Sequence, residues 1–143
     1  MGFSTDAIHA GQIPDPTTGA VITPLYLTST YAQPELGKNT GYEYGRTHNL
    51  TRQALEKNIA TLEKGKYGIA FASGLAATHA LMSLVKAGDH IIVSSNVYGG
   101  TYRLYELNMT NYGLEYSWVE TSNAVHIENV IKKNTKMIFV ETP

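Results

Sequence analysis

The 143-residue sequence contains no cysteine, which removes disulfides, thiolate metal sites and a cysteine nucleophile together. No metal site is expected. It also lacks charge of one sign: eleven Lys plus Arg stand against twelve Asp plus Glu, a net charge of −1, whereas a protein that binds a phosphate backbone by displacing counterions needs a basic surplus. Nucleic acid is not an expected partner. No apolar run is long enough to span a bilayer, so no membrane partner is expected. The opening Met1-Gly2-Phe3-Ser4-Thr5-Asp6 has no basic region followed by an apolar core, and Asp6 stands where a myristoylation signal needs Ser or Thr. The chain reads as cytoplasmic, with Asn49-Leu50-Thr51 and Asn108-Met109-Thr110 as chance matches to a glycosylation acceptor. Neither G-x-G-x-x-G nor a Walker sequence occurs, which discounts a nucleotide-binding Rossmann module.

What the sequence does hold centres on Ile69-Ala70-Phe71-Ala72-Ser73-Gly74-Leu75-Ala76-Ala77-Thr78. A short apolar run meets a Ser-Gly turn and opens into helix-favouring residues, predicting a strand, a tight turn and a helix N-terminus. The first N–H groups of such a helix have no intrahelical partner, and the peptide dipoles add about half a positive charge there, so the turn is suited to a phosphate. Most strand-turn-helix joints bind nothing, so this signal needs neighbours.

Residues 1 to 50 are rich in Gly, Pro, Thr and Tyr and show no helical or alternating periodicity, which predicts an irregular arm. Its Tyr and Leu content argues for packing on a partner subunit. Within the arm, Tyr44 and Arg46 are separated by one glycine, and in extended chain such side chains share a face. A guanidinium fork with a nearby phenol suits phosphate oxygens, although a solvated Arg beside a packing Tyr accounts for the pair taken alone. From Asn49 the pattern is helical, with Leu55, Ile59 and Leu62 on one stripe, Arg52, Glu56, Lys57 and Lys64 outside it, and Asn49 or Thr51 as the cap. A helix after Gly74, apolar on more than one face, reads as buried between a sheet and another layer. His90 to Ser94 reads as a doubly buried parallel strand. It leads to Tyr98-Gly99-Gly100-Thr101, where Tyr98 can stack on a flat ligand at a strand's carboxyl end. A surface turn with a packing tyrosine explains that motif equally well on its own. A third helix, from about Thr101 to Asn111, carries Tyr102, Tyr105, Met109 and Tyr112 as a core stripe. Tyr116 to Val119 is a strand, Ile127, Val130 and Ile131 mark a fourth helix ending at Lys132, Lys133 and Asn134, and Met137 to Val140 is another strand. Repeated βα units imply an α/β fold with a mainly parallel sheet.

Together these residues resemble the trans-sulfuration (Cys/Met metabolism) family of pyridoxal-phosphate (PLP) enzymes, along the whole chain. The resemblance rests on Ile8-His9-Ala10-Gly11-Gln12, Pro24-Leu25-Tyr26, Ser29-Thr30-Tyr31, Tyr44-Gly45-Arg46-Thr47-His48-Asn49, Thr51-Arg52, Phe71 to Ala77, Tyr98 to Thr101 and Glu141-Thr142-Pro143. It implies an arm at 1–50 that reaches a neighbouring subunit. At 51–143 it implies the first, incomplete part of a PLP-binding large domain of the aspartate-aminotransferase type (fold type I). The implied cofactor is pyridoxal 5'-phosphate, with Gly74 and Leu75 N–H groups on its phosphate, Tyr98 stacked on its ring and available for proton transfer, and Tyr44 and Arg46 on the phosphate of a neighbouring subunit's cofactor. The implied activity is of the cystathionine γ-lyase or γ-synthase type, γ-elimination or γ-replacement at cystathionine or an O-acyl-homoserine, in a homotetramer built as a dimer of dimers. Cystathionine β-lyase and methionine γ-lyase are the alternatives, and a catalytically inert truncated fragment with a structural role is the alternative of another class.

Two positions depart from or discriminate within the family. Leu50 replaces the usual Pro at the first helical turn, losing some preorganisation but no hydrogen bond. Gly100 stands where methionine γ-lyases carry Cys, which leans the reading toward cystathionine chemistry. The family's Schiff-base lysine, the aspartate on the pyridine nitrogen and the arginine for the substrate carboxylate have no match here. None of Lys38, Lys57, Lys64, Lys66, Lys86, Lys132, Lys133 or Lys136 sits in the required Ser/Thr-rich context, so the 143 residues alone are expected to be inactive. The strand at Ile69 to Ala72 is expected to lack its neighbours, which in the family fold come later in the chain.

Overall fold

Backbone N–H and C=O groups that find no ladder must find side chains, and the N-terminal segment shows how. The structure, a computed structural model, describes residues 2–142, so that Met1 of the opening hexapeptide and Pro143 of the Glu141-Thr142-Pro143 motif lie outside the described residues. Two compact units form, Met1–Ala70 and Phe71–Pro143. The first holds helix α1 (Phe3–His9) and helix α2 (Leu50–Leu62) around irregular chain. Helix α1 is a correction to the wholly irregular arm expected; at seven residues it is too short to show periodicity and is held by tertiary contact. Asn58 Nδ2 lies 3.1, 3.2 and 3.0 Å from the carbonyls of Asp6, Ala7 and Ala10, closing the end of α1.

The side chains of α2 serve the arm in the same way farther on. Thr51 Oγ1 accepts from Tyr26 N–H and donates to Pro24 C=O, both at 2.9 Å, and Asn49 Nδ2 donates to Tyr26 C=O at 2.9 Å. Asn49 is also the N-cap, its Oδ1 accepting from the N–H groups of Thr51 and Arg52. Leu50 therefore occupies the first helical position, where a proline's missing N–H would cost nothing. The expected inward stripe is reversed, however. Leu55 and Ile59 are exposed, while Arg52 and Glu56, assigned to the outer face, are partly buried because the arm's carbonyls need donors more than its side chains need cover; only Leu62 of the stripe is half-buried, and Lys57 and Lys64 are exposed as expected.

The second unit contains helix α3 (Gly74–Leu81) with a 3₁₀ turn to Leu84, strand β1 (His90–Ser94), helix α4 (Gly99–Arg103), strand β2 (Glu115–Val119), helix α5 (Ala124–Glu128) and strand β3 (Thr135–Phe139). The three strands pair in parallel in the order β2-β1-β3. Ile91 faces Tyr116 on one side and Met137 on the other. Central β1 is buried throughout, as its continuous apolar run predicts, while β3 begins at Thr135 rather than Met137 and ends at Phe139 rather than Val140.

Four further expectations change, the first on residues that span the end of the first unit and the start of the second. Ile69 to Ala72 forms no strand, because nothing among the described residues pairs with it; Ile69 is 73 % exposed. Helix α3 carries no fully buried residue, and Leu75, Leu81 and Leu84 are exposed, so among the described residues no second layer covers it. The third helix begins at Gly99 and passes from α through one π turn (Leu104–Asn108) into 3₁₀ (Met109–Tyr112), which shifts the phase of its face. Tyr105 and Met109 stay buried, but Tyr102 and Tyr112, expected on the same core stripe, are exposed. Helix α5 stops at Glu128; Val130 follows in a turn and Ile131 in irregular chain. The core is aromatic: Tyr105 stacks on Tyr116 at 5.3 Å between centroids and meets Phe139 edge-on at 5.5 Å.

Candidate functional site

The strand order decides where a ligand can sit in the second unit. From β1 the chain crosses to β2 on one side and then returns past β1 to β3, so the connections diverge between β1 and β3, and ligands in such sheets bind beyond the carboxyl ends at that point. Tyr98 follows β1 there and Glu141 follows β3. With Asn96, Val97 and Thr142 they line a cleft of about 260 Å³. The Tyr98 ring is 67 % exposed. Its backbone N–H donates to Glu141 Oε2 at 2.6 Å, and the Thr101 hydroxyl donates to Glu141 Oε1 at 2.6 Å. A Cβ at Gly100 would stand 2.3 Å from Tyr98 Cε1, so the ring lies against bare backbone that only glycine provides.

Helix α3 supplies the second element. Ser73 is its N-cap, the side chain accepting from Ala76 N–H at 3.1 Å, and Ala77 N–H donates to Ser73 C=O. The N–H groups of Gly74 and Leu75 have no acceptor among the described residues. Nothing lies within 4 Å of where a Cβ at Gly74 would stand. Free amides at a helix N-terminus suit a phosphate and an exposed aromatic ring suits a flat partner, and both features occur in this unit, although Gly74 and Leu75 do not line the Tyr98 cleft. Helix α3 also touches α4, which follows Tyr98 directly. Two phenols of this unit's core stay protonated near neutrality: burial pushes Tyr105 up strongly, and burial, aided by the Glu106 charge, pushes Tyr116 up to about 12.

Tyr44 and Arg46 belong to the first unit and are brought together, though not by the extended chain expected. Residues 45–47 form a turn closed by Thr47 N–H and His48 N–H donating to Tyr44 C=O at 3.0 and 2.9 Å. The Arg46 guanidinium lies 4.9 Å over the Tyr44 ring, a cation–π contact that alternation could not supply. Gly45 is required by a close approach, for a Cβ there would meet Thr28 C=O at 2.6 Å. Arg52 holds the turn from α2: Nη1 donates to Gly45 C=O at 3.3 Å and Arg46 C=O at 3.2 Å, and Nη2 to Thr47 C=O at 2.7 Å. Its Nε pairs with Glu56 at 3.3 Å, and Glu56 accepts from Ala70 N–H at 3.0 Å. The cleft between these residues, about 370 Å³, is lined by Arg46, His48 and Arg52 on one wall and Gly68 to Ala70 on the other.

Sequence reasoning assigned no role to Arg52 or Glu141. The spacing of Arg52 and Glu56 announces an i, i+4 pair, but nothing in the sequence says that the guanidinium turns back to three carbonyls. His90 was likewise read only as a strand residue. It is fully buried at the amino end of β1, with Nδ1 2.8 Å from Thr135 Oγ1 and Nε2 2.9 Å from Ser117 Oγ, joining all three strands at the end opposite Tyr98. Asp89 Oδ2 accepts from Lys86 N–H at 3.0 Å in the turn before β1. All eight lysines are exposed.

Comparison with known proteins agrees over the whole chain. The profile of the family described as Cys/Met metabolism PLP-dependent enzymes matches residues 4–143. A protein of Herpetosiphon aurantiacus named as a probable cystathionine gamma-synthase is 52 % identical over 142 residues, covering 99 % of this chain and 44 % of that protein. A cystathionine beta-lyase of Coxiella burnetii is 49 % identical over 142 residues, covering 99 % of this chain and 37 % of its own length. Among solved structures, cystathionine gamma-lyase from Lactobacillus plantarum, complexed with L-serine, superimposes with a TM-score of 0.94 at 48 % identity, over 100 % of this chain and 37 % of that one. The chain thus spans about two fifths of the length of these relatives.

Proposed function

This chain belongs to the Cys/Met metabolism PLP-dependent enzymes, and from that membership we propose that the protein carrying it is a trans-sulfuration enzyme of the cystathionine γ-lyase or γ-synthase type. The observation that supports this most directly is the presence, in one α/β unit, of two uncommitted amide donors at Gly74 and Leu75 and an exposed Tyr98 ring at the carboxyl end of a parallel sheet. Pyridoxal 5'-phosphate, when bound, supplies an aldehyde and an electron-withdrawing ring that weakens bonds at the α-carbon of an amino acid. The chain's own residues supply the hold: the Gly74 and Leu75 N–H groups bind the phosphate, and the Tyr98 ring covers one face of the heterocycle and excludes water from it. The Tyr98 hydroxyl is the group on this chain placed to move a proton. Tyr44 and Arg46 serve the phosphate of a neighbouring subunit's cofactor, which calls for a homo-oligomer of at least two subunits.

Relatives named as γ-synthase, β-lyase and γ-lyase stand within a few per cent of one another in identity, so similarity does not rank the reactions. Gly100 stands where methionine γ-lyases of the family carry a cysteine, which favours cystathionine over methionine. The lysine that binds the cofactor is not among the eight here. Those of the second unit, Lys86, Lys132, Lys133 and Lys136, lie before or at the start of β1 and β3, away from the strands' carboxyl ends. The 143 residues alone are therefore inactive on this reading. Borohydride reduction of the protein as its gene encodes it, loaded with pyridoxal phosphate, followed by peptide mass mapping, should label one lysine outside these eight, with turnover of cystathionine before reduction. Labelling at one of the eight in a protein that turns over cystathionine overturns the assignment.

A further inference from the structure

A tyrosine is a poor N-cap, because its hydroxyl cannot reach back to the first turn as a Ser or Asp oxygen does. Tyr98 nevertheless occupies the N-cap of α4, with φ −53° and ψ 136° and no side-chain cap bond of its own. The capping work is done by a residue from another strand. Glu141, two positions beyond the end of β3, accepts from the Tyr98 N–H through Oε2 and from the hydroxyl of Thr101, the third helical residue, through Oε1. Thr101 is 2 % exposed, so one end of this bridge is fixed in the core. A carboxylate at a helix start is also favoured by the peptide dipoles. The arrangement frees the Tyr98 side chain from capping and leaves its ring to stand in the cleft, against the bare backbone of Gly100.

We propose that Glu141 is a positioning residue for cofactor binding: by capping α4 from β3 it sets the backbone at Tyr98 and so the plane and reach of the ring. This rests on the reading that Tyr98 stacks on the cofactor. Glu141 itself touches no reacting atom.

The test is a double-mutant cycle in the protein as its gene encodes it, reading the dissociation constant of pyridoxal phosphate and the visible circular dichroism of the bound cofactor. Loss of the hydrogen bonds that orient the ring should make Glu141→Ala weaken binding by about three- to fivefold, no more than removal of the ring itself, and reduce the visible band. Glu141→Gln retains an acceptor for the Tyr98 N–H and offers an amide donor to Thr101 Oγ1, so it should stay within about twofold of wild type. Glu141→Asp is too short to span both donors and should behave like alanine, which keeps the test open where the alanine variant does not fold. With Tyr98→Ala already in place, Glu141→Ala should add less than about twofold, since the two residues act as a unit. Additive losses, or a Gln variant as impaired as Ala, overturn the proposal while leaving the stacking role of Tyr98 intact. Wild-type affinity in Tyr98→Ala overturns the stacking reading itself, and the proposal with it.

Discussion

Arg52 Nη2 donates to the carbonyl oxygen of Thr47 at 2.7 Å, tying the first turn of α2 back to the chain that precedes it. The same guanidinium reaches the carbonyls of Gly45 and Arg46 and the carboxylate of Glu56, so one planar fork sets the turn that presents Tyr44 and Arg46. A lysine has the charge without the fork. Arg52→Lys should therefore loosen residues 45–47, detectable as faster amide exchange at Thr47 and His48, and should weaken cofactor binding about as far as it loosens Arg46. Unchanged exchange would remove Arg52 from this role.

Arg46 is expected to matter more to cofactor retention than the dipole of α3. A charge-assisted hydrogen bond is worth about 1.5–3 kcal/mol, against about 0.3–1 for a helix end in ordinary settings. In the assembled protein, Arg46→Ala should raise the pyridoxal phosphate dissociation constant roughly ten- to a hundredfold. Equilibrium dialysis giving the wild-type constant would sink the assignment.

For Tyr98, the ring and the hydroxyl are separable. Stacking needs only the ring, so Tyr98→Phe should keep the cofactor and lose turnover, whereas Tyr98→Ala should lose affinity by roughly three- to tenfold, the equivalent of an aromatic contact. Gly100→Ala should act on the same ring without unfolding the protein, because an alanine Cβ meets Tyr98 Cε1 and the exposed ring can swing away. A Gly100→Ala variant with unaltered cofactor affinity and absorbance would contradict this.

His90 should make stability depend on pH. Burial, followed by the positive charge of Lys132, holds its imidazole below the ordinary value of 6.5, with Glu115 opposing. The unfolded chain then binds more protons than the folded one between the two values, so this contribution is complete above about 6.5 and drains as pH falls from there toward the folded value. Asp15, Glu115 and Glu120, held low chiefly by hydrogen bonds to Thr18, Lys132 and Ser122, act only below their ordinary values of 3.8 and 4.5. Urea denaturation at pH 7.5 and 5.5 should show a lower midpoint at the acid value, and His90→Asn should flatten the difference. Equal slopes in wild type and variant would place the titration elsewhere.

The α2 N-cap carries a double function, since Asn49 accepts from Thr51 and Arg52 and donates to Tyr26 C=O. Asn49→Ala should cost about 1–2 kcal/mol, at the upper end for a cap because the Tyr26 carbonyl also loses its donor. Asn49→Asp should recover the cap but not the Tyr26 bond and fall between. Chemical denaturation ranks the three, and a different order would separate the two roles.

The residues that carry strong local preference were legible in the sequence. The continuous apolar run of β1, the Asn49 cap, the Ser73-Gly74 turn opening α3 and the βα alternation all depend on contacts within a few residues, and the structure places each where its local chemistry directs. Helix α1 escaped because seven residues without a periodic face form a helix only when Asn58 closes its end, and Asn58 is 48 residues or more away in sequence. The Tyr44–Arg46 pair was found for the wrong reason, since a turn gripped by Arg52 rather than strand alternation brings the two together. Tyr98 was identifiable from its place after a strand, yet the Glu141 bridge, 43 residues distant, was not. Local propensity fixes where a helix is capped or a turn is made, because those free energies are settled among neighbours, but it could not make a strand of Ile69 to Ala72, which finds no pairing partner among the described residues. The partners of an isolated backbone carbonyl, an uncapped helix start or the buried His90 are chosen only when distant segments meet, because a group removed from water must be satisfied by whatever donor the fold brings within about 3 Å.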